Sequence, residues 1–162
     1  MGEFKKLLFL LLGAAVFIAF VGFLFNKDKN SARESRNTVD IKIGNTNIKA
    51  VLANNAESRK KGLGGTDKLE ENEGMLFVFD KKDVMPVFWM KDMQIAIDIL
   101  WINDGEIIQI DKNLEPPNKN ISDKDLARYS PQKTIDYALE VNAGFSDKTG
   151  IKVGDNIEIP GI

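Results

Sequence analysis

Cysteine and histidine are both absent from this sequence of 162 residues. Their absence excludes disulfides, thiol nucleophiles, zinc sites built from these residues, and catalytic triads that need a histidine base. Any chemistry must therefore come from carboxylates, lysine, arginine, tyrosine, hydroxyl groups or thioethers. No cofactor is expected.

Beyond the N-terminal 37 residues, basic residues are fewer than acidic ones. The first 37 residues contain six Lys or Arg and three Asp or Glu, whereas the other 125 contain 16 and 21, a net charge of −5. Since contacts to phosphates supply much of the affinity of nucleic-acid-binding proteins, this mildly acidic region is not expected to bind nucleic acid. A hydrophobic content of 43% and a charged content of 28% predict one ordinary globular domain with a short appendage.

Charge is absent altogether from residues 7–25, LLFLLLGAAVFIAFVGFLF. As a helix this run would be about 28 Å long, close to the thickness of the hydrocarbon core of a bilayer. It has no polar face and lacks the small residues of a signal-peptide cleavage site. Residues 1–25 are therefore predicted to be an uncleaved membrane anchor, with a cleaved signal peptide as the alternative.

The orientation of this anchor rests on two opposing indications. Two lysines precede the span and four basic residues follow it, which favours a cytoplasmic domain. A very short N-terminus followed by one span and a soluble domain is, however, the usual layout of a signal anchor. We expect the domain to lie outside the cytoplasm, joined to the membrane by a flexible polar tether at residues 26–37.

From residue 38 onwards, apolar and polar residues alternate with the period of two that is typical of β-strands. Gly44-Asn45 and Asp104-Gly105 predict tight turns between neighbouring strands. The predicted strands are 39–43, 48–52, 75–79, 87–90, 96–103, 106–110, 135–141 and 156–159. Residues 38–162 are thus predicted to form a mainly β domain, either a small antiparallel sandwich or a partly closed barrel.

Two or three short helices are predicted within this domain. The helical segments are 56–61, 66–71 and 143–149. Asn54 or Asn55 is expected to cap the first of them, and Gly62 is expected to end it. The polar segment 111–133 is predicted to be a long loop, and loops of this length are usually mobile or functional.

Several short motifs occur in a fixed order along the domain. They are Lys61-Gly62-Leu63, Gly74-Met75-Leu76-Phe77, Phe88-Trp89-Met90-Lys91, Ile97-Asp98-Ile99, Leu139-Glu140-Val141, Ala143-Gly144 and Gly154-Asp155. In this order and spacing they resemble domain of unknown function 192, also called uncharacterised protein family UPF0127, over about residues 38–159. The resemblance implies a small all-β domain behind a signal or anchor segment, and it implies no established activity.

The sequence departs from the pattern of that family at two places. Gly64 stands where a methionine is more common, and Asp92-Met93 replaces a more frequent Asn-Thr. Any family role that depends on these positions does not carry over to this chain.

Asp98 interrupts an apolar run and is the most distinctive single residue. Both faces of its predicted strand are apolar, so its carboxylate is expected to be at least half buried. A buried carboxylate must be paired, hydrogen-bonded or protonated, and Lys91 and Arg59 are candidate partners. Two roles stay open, a structural tie to backbone N–H groups and a role in ligand binding or acid–base chemistry.

Trp89 and Lys91 could form an aromatic platform with a charged rim, suited to a sugar ring or another flat ligand. Core packing of Trp89 and a solvated strand end at Lys91 are the alternatives. Four methionines between residues 75 and 93 could bind Cu(I), but they fill gaps in a core equally well. No metal site is predicted.

Glu140 could pair with Asp98 as the two carboxylates of a glycoside hydrolase. Asp136 and Asn142 share the face of its predicted strand, however, and make that face polar. An exposed charge without a catalytic role is therefore the favoured expectation for Glu140.

The leading hypothesis is a non-enzymatic binding or accessory module, tethered to the membrane through residues 7–25, whose ligand is an envelope glycan or a small molecule. Its binding residues are predicted to be Arg59, Trp89, Lys91 and Asp98. A carboxylate-dependent hydrolase that uses Asp98 and Glu140 is one alternative. A scaffold that recognises another envelope protein is the other.

Overall fold

The structure, a computed structural model, describes residues 37–118 and 120–161. The predicted anchor at residues 1–25 lies outside the described residues, as does the predicted tether up to residue 36. Among the residues that the structure does describe, no helix is long and apolar enough to cross a membrane.

Strands dominate the described part of the chain and confirm the prediction of a mainly β domain. In chain order the elements are β1 (Thr38–Ile43), β2 (Thr46–Ala53), α1 (Ala56–Lys61), β3 (Glu73–Val78), β4 (Phe88–Trp89), β5 (Ile97–Asn103), β6 (Glu106–Leu114), β7 (Arg128–Tyr129), β8 (Tyr137–Asn142), α2 (Phe145–Thr149) and β9 (Ile157–Glu158). The segment 111–133 is less irregular than predicted, because it includes the end of β6, a 3₁₀ turn at Asp123–Asp125 and β7.

Seven strands form one sheet in the order β6-β5-β8-β3-β2-β1-β9, and β4 pairs with β7 in a separate ribbon. The neighbours in the large sheet are antiparallel except β2 and β3, which are parallel. The prediction of a wholly antiparallel sheet is therefore wrong at this pair. Residues 54–72, which include α1, return the chain to the same end of the sheet, as a parallel connection requires.

The large sheet curls until its two edges meet. The backbone N–H of Ile107 on β6 donates to the Asp155 carbonyl at 3.0 Å, and that of Ile157 on β9 donates to the Gly105 carbonyl at 2.8 Å. Of the two predicted architectures, the partly closed barrel is therefore the correct one.

Apolar side chains cover both faces of the sheet. The face inside the curl, called the inner face here, carries the larger core, with Ile41, Ile43, Leu76, Leu100, Ile107 and Leu139 among its members. The opposite face, called the outer face, carries a second core that includes Leu63, Phe77, Met90, Ile99 and Trp101. Because β5 and β8 lie between these two cores, their side chains are buried on both faces.

Local signals explain the beginning and end of α1. The Asn55 side chain accepts a hydrogen bond from the Ser58 backbone N–H at 2.9 Å, and Gly62 ends the helix with φ of 52°. The helix predicted over residues 66–71 is wrong. The carbonyls of Leu69 and Glu70 accept hydrogen bonds from the Asn142 side chain, so this stretch runs across the end of β8 without forming helical bonds.

Candidate functional site

A cavity of about 300 Å³ lies on the outer face of the sheet, between α1, β3 and the segment 86–93. Its volume is at the lower end of the range that is typical of small-molecule sites. The apolar lining includes Leu63, Phe77, Phe79, Phe88, Trp89 and Met93. Four basic residues, Arg59, Lys60, Lys61 and Lys91, and one acidic residue, Glu140, complete the polar lining.

The aromatic wall of the cavity is fixed by contacts between tilted rings. The Phe77 and Phe88 ring centroids are 4.6 Å apart, and Phe88 meets Trp101 edge to face at 5.1 Å. Phe77 reaches this wall because side chains alternate along β3, which sends it to the outer face. The contacts hold the rings in defined positions, so this wall is preformed.

Glu140 is the polar residue at the floor of the cavity. It is paired across the sheet with Ile99 on one side and Met75 on the other, which places its side chain on the outer face. The residue is 6% exposed, and its Oε2 atom has no hydrogen-bond partner in the described part of the chain. Burial raises the pKa of Glu140 to about 8, so the carboxyl is mostly protonated at neutral pH.

The expectation that Glu140 is an exposed charge is therefore wrong. Asp136 lies before the first residue of β8 and Asn142 is the last residue of this strand, so neither makes the middle of its outer face polar. The neighbours of Glu140 across the sheet are the apolar residues Ile99 and Met75.

Asp98 is completely buried, but on the inner face of the sheet. Its Oδ1 atom accepts hydrogen bonds from the backbone N–H groups of Asn113 at 2.9 Å and Gly144 at 3.1 Å. Its Oδ2 atom accepts one from the Ser146 N–H at 3.1 Å. Asp98 thus ties β5 to the end of β6 and to the first turn of α2. This arrangement is the structural tie that was one of its two expected roles.

Asp98 and Glu140 do not face a common cleft. Asp98 is paired with Val141, whereas Ile99 is paired with Glu140, so the two carboxyl groups project from opposite faces of the sheet. The structure therefore does not bring together the carboxylate pair on which the hydrolase hypothesis depends.

Two of the four basic residues at the cavity are already engaged within the protein. The Arg59 guanidinium donates to the Val78 carbonyl at 2.8 Å and forms an ion pair with Asp80 at 2.9 Å. Lys91 forms an ion pair with Asp123, and this hydrogen bond raises the pKa of Lys91.

Lys60 and Lys61 differ from these two residues. Both are exposed, and within the part of the chain that the structure describes neither has an ion pair. They are the cations at the cavity that a ligand can bind without breaking a bond of the protein.

Trp89 is not an open stacking platform. The Lys91 ammonium lies over its ring at 5.8 Å from the centroid, and the Arg128 guanidinium lies over it at 5.7 Å. Arg128 reaches the ring because β7 pairs with β4. The predicted loop 111–133 therefore reaches the site through Arg128 and through the ion pair of Asp123 with Lys91, and none of its described residues lines the cavity.

The structure brings together three of the four residues that were predicted to bind a ligand. Arg59, Trp89 and Lys91 line one cavity, and Asp98 lies on the other face of the sheet. The carboxyl group that lines the cavity belongs to Glu140 and not, as predicted, to Asp98. The sequence signal that could have identified it is Leu139-Glu140-Val141, an acidic residue between apolar neighbours on a strand.

The sequence of the domain matches a known protein family. A family model described as DUF192, "Uncharacterized ACR", matches residues 39–159. No curated protein matches the chain.

Two solved structures are similar to this chain. One is a protein provisionally named a transcription regulator from Sinorhizobium meliloti 1021, with 26% identity and a TM-score of 0.70, covering 79% of this chain and 98% of that chain. The other is a protein of unknown function from Novosphingobium aromaticivorans DSM 12444, with 28% identity and a TM-score of 0.66, covering 75% of this chain and 84% of that chain.

Asp98→Asn is expected to lower the free energy of unfolding by about 2–4 kcal/mol. The substitution removes a charge that accepts three backbone hydrogen bonds and places an amide donor against N–H groups. Chemical denaturation of the variant measures this loss. Asp40→Asn, at an exposed position of β1, is the matched control and should change stability by less than about 0.5 kcal/mol. Equal stability of the two variants would contradict the structural role of Asp98.

Glu140→Gln is expected to change the pH dependence of stability. The pKa of Glu140 is about 8 in the folded protein, above the ordinary value of 4.5. The stabilisation from proton binding is complete below about pH 4.5 and is lost as the pH rises through 8. The free energy of unfolding of the variant, relative to the wild type, should therefore increase by about 3–5 kcal/mol between pH 4 and pH 9.

Denaturation curves of both proteins at a series of pH values measure this difference. Glu158→Gln, an exposed position on β9, is the control that removes a carboxyl without removing a buried one. If the difference between Glu140→Gln and wild type is the same at pH 4 and pH 9, the carboxyl of Glu140 is not held protonated by burial.

Proposed function

The chain belongs to the DUF192 family of uncharacterised proteins, and we propose that its domain is a non-enzymatic binding module that holds a small molecule in the cavity above Glu140. The observation that carries the proposal is the unpartnered Oε2 atom of Glu140 at the floor of this cavity. Native proteins seldom leave a buried polar atom without a partner, because its desolvation costs about 1–3 kcal/mol. A ligand that reaches Glu140 would supply the missing partner.

The remaining lining indicates which ligands suit the cavity. The rings of Phe77 and Phe88 favour an apolar or aromatic portion, and Lys60 and Lys61 favour an anionic group. A glycan polymer has less support, because the Trp89 ring that would stack on a sugar already carries Lys91 and Arg128. The proposal is therefore a compact metabolite, with a single terminal sugar as the largest glycan portion that the volume favours.

The alternative functions have weaker support. A hydrolase of the kind considered requires Asp98 and Glu140 to contact the same substrate, but the two side chains project from opposite faces of the sheet. A scaffold needs a continuous apolar surface, whereas the large apolar side chains exposed in the described ranges lie on three separate segments. They are Met85, Val87, Ile121 and Val153. The relative from Sinorhizobium meliloti 1021 is named a transcription regulator. The net negative charge of this domain gives no support to a role in binding DNA.

We also propose that the domain is held at the outer side of a membrane by residues 7–25. C-terminal fusions to alkaline phosphatase and to green fluorescent protein test this topology in bacterial cells. The phosphatase fusion is expected to be active, and the fluorescent fusion is expected to be dark after export through the general secretory route. An inactive phosphatase together with a bright fluorescent fusion would place the domain in the cytoplasm.

Ligand binding can be tested by a thermal-shift screen of the purified full chain against small metabolites, amino acids and saccharides. A compound at 100 times its Kd should stabilise the protein by about 2.7 kcal/mol, which is a shift of several degrees for a domain of this size. The double variant Lys60→Glu/Lys61→Glu should weaken the binding of anionic compounds at least about tenfold, because it reverses the charge at the cavity rim.

Lys42→Glu/Lys49→Glu is the matched control, since it makes the same charge change at exposed positions of β1 and β2. This variant should bind like the wild type. The proposal fails if no compound stabilises the wild type. It fails equally if the compounds that do so are insensitive to both the rim substitutions and Glu140→Gln.

A further inference from the structure

We infer that the ligand of this cavity is amphoteric. Its ammonium group binds Glu140 at the inner end of the cavity, and its anionic group binds Lys60 and Lys61 at the outer end. The inference rests on the proposed binding function and names the chemical class of the ligand. Free amino acids with an apolar side chain are the simplest members of this class.

The inner end of the cavity has the features of an ammonium site. The Glu140 carboxyl is nearly buried, and its Oε2 atom is free to accept a hydrogen bond. A Cβ atom at position 62 would lie 3.9 Å from this oxygen and 3.4 Å from Phe77, so glycine at this position leaves the space beside Glu140 unfilled. Aromatic rings attract cations through their negative faces; Phe77 lies near the carboxyl, and Phe88 lines the same cavity.

Within the described ranges no lysine or arginine forms an ion pair with Glu140. Arg59 and Lys91 line the same cavity, but they are bonded to Asp80 and Asp123. The buried carboxyl is mostly protonated at neutral pH, and a ligand ammonium would be the partner that allows it to ionise. A carboxylate and an ammonium that meet away from water form a charge-assisted hydrogen bond, which is stronger than a bond between neutral groups.

The outer end of the cavity is positively charged. Lys60 and Lys61 would repel a ligand that carried only a positive charge, and they would attract a carboxylate or another anionic group. A molecule that carries both charges matches both ends. Its apolar portion would pack against the aromatic wall between them.

Such binding must be coupled to the release of a proton from Glu140.

Other charged groups surround Glu140 on the neighbouring elements. On the outer face of the sheet they are Asp111 of β6, which is bonded to the Trp101 indole, and Glu73 of β3. Across the cavity they are Arg59, Lys60, Lys61 and Lys91.

The coupling fixes the direction of the pH dependence. Only the ionised fraction of Glu140 can pair with an ammonium, and this fraction rises about tenfold for each pH unit below the pKa. The affinity for an amphoteric ligand should therefore increase about tenfold between pH 6 and pH 7. A ligand that only accepts a hydrogen bond from the protonated carboxyl would show no such increase and would bind more weakly above pH 8.

The test is isothermal titration of the purified full chain with the apolar and aromatic free amino acids at pH 6, 7 and 8. Each amino acid is compared with its N-acetyl derivative, which lacks the ammonium, and with its methyl ester, which lacks the carboxylate. At least one free amino acid should bind with the stated pH dependence. Its N-acetyl derivative should bind about 30-fold or more weakly, because Glu140 then stays unpaired.

Two variants assign the charges to the two ends of the cavity. Glu140→Gln should abolish the increase in affinity between pH 6 and pH 7. Lys60→Glu/Lys61→Glu should weaken the binding of the free amino acid and leave that of the methyl ester unchanged or stronger. Folding of each variant is confirmed by its thermal transition.

Three results would overturn the inference. They are binding of N-acetyl derivatives as tight as that of free amino acids, affinity that falls as the pH rises, and no binding of any free amino acid. If other small molecules from the wider screen still bind in a way that depends on Glu140, the amphoteric class is wrong and the binding function stands. If nothing binds, both proposals fail.

Discussion

The burial of β5 and β8 on both faces is the constraint from which the rest of this structure follows. A strand between two apolar cores offers no water to a polar side chain, so each such side chain needs a partner from the protein or must lose its charge. Asp98 and Glu140 meet this constraint in opposite ways. Asp98 keeps its oxygens satisfied by three backbone N–H groups, whereas burial shifts Glu140 towards its neutral form.

Buried aspartates join the loops to both ends of this strand pair. Asp98 ties the ends of β6 and α2 to one end of β5. At the other end Asp136 accepts from the backbone N–H groups of Asp83 at 3.3 Å and Asp104 at 3.2 Å. These ties hold the segments next to both ends of β5 in place. Glu140 does not have such a tie, which is why we regard it as part of a binding site and the two aspartates as part of the framework.

Much of the fold can be predicted from the sequence because its signals are local. Alternation of apolar residues marks the strands, Asp104-Gly105 marks a hairpin, and Asn55 marks the start of α1. The parallel pairing of β2 and β3 could not be predicted in this way. It depends on where residues 54–72 return the chain, and no short segment encodes that path.

The candidate site was harder to predict for a similar reason. The basic and aromatic members Arg59, Trp89 and Lys91 stand out by residue type, but the face to which a carboxylate points depends on the flanking strands. Asp98 and Glu140 look alike in sequence, since each interrupts an apolar run. Only the pairing of β5 with β8 distinguishes the residue of the inner face from the residue of the outer face.

The closure of the curled sheet has a consequence for synthesis in the cell. β9 pairs with β1, and backbone bonds join it and the segment before it to the beginning of β6. The ribosome produces these partners first and β9 last, so the edges of β1 and β6 stay unpaired while most of the domain is made. Unpaired edges can pair with other chains, and contacts between distant segments form slowly. The nascent domain therefore passes through an interval in which it is open to aggregation, and that interval ends only when residues 154–158 emerge.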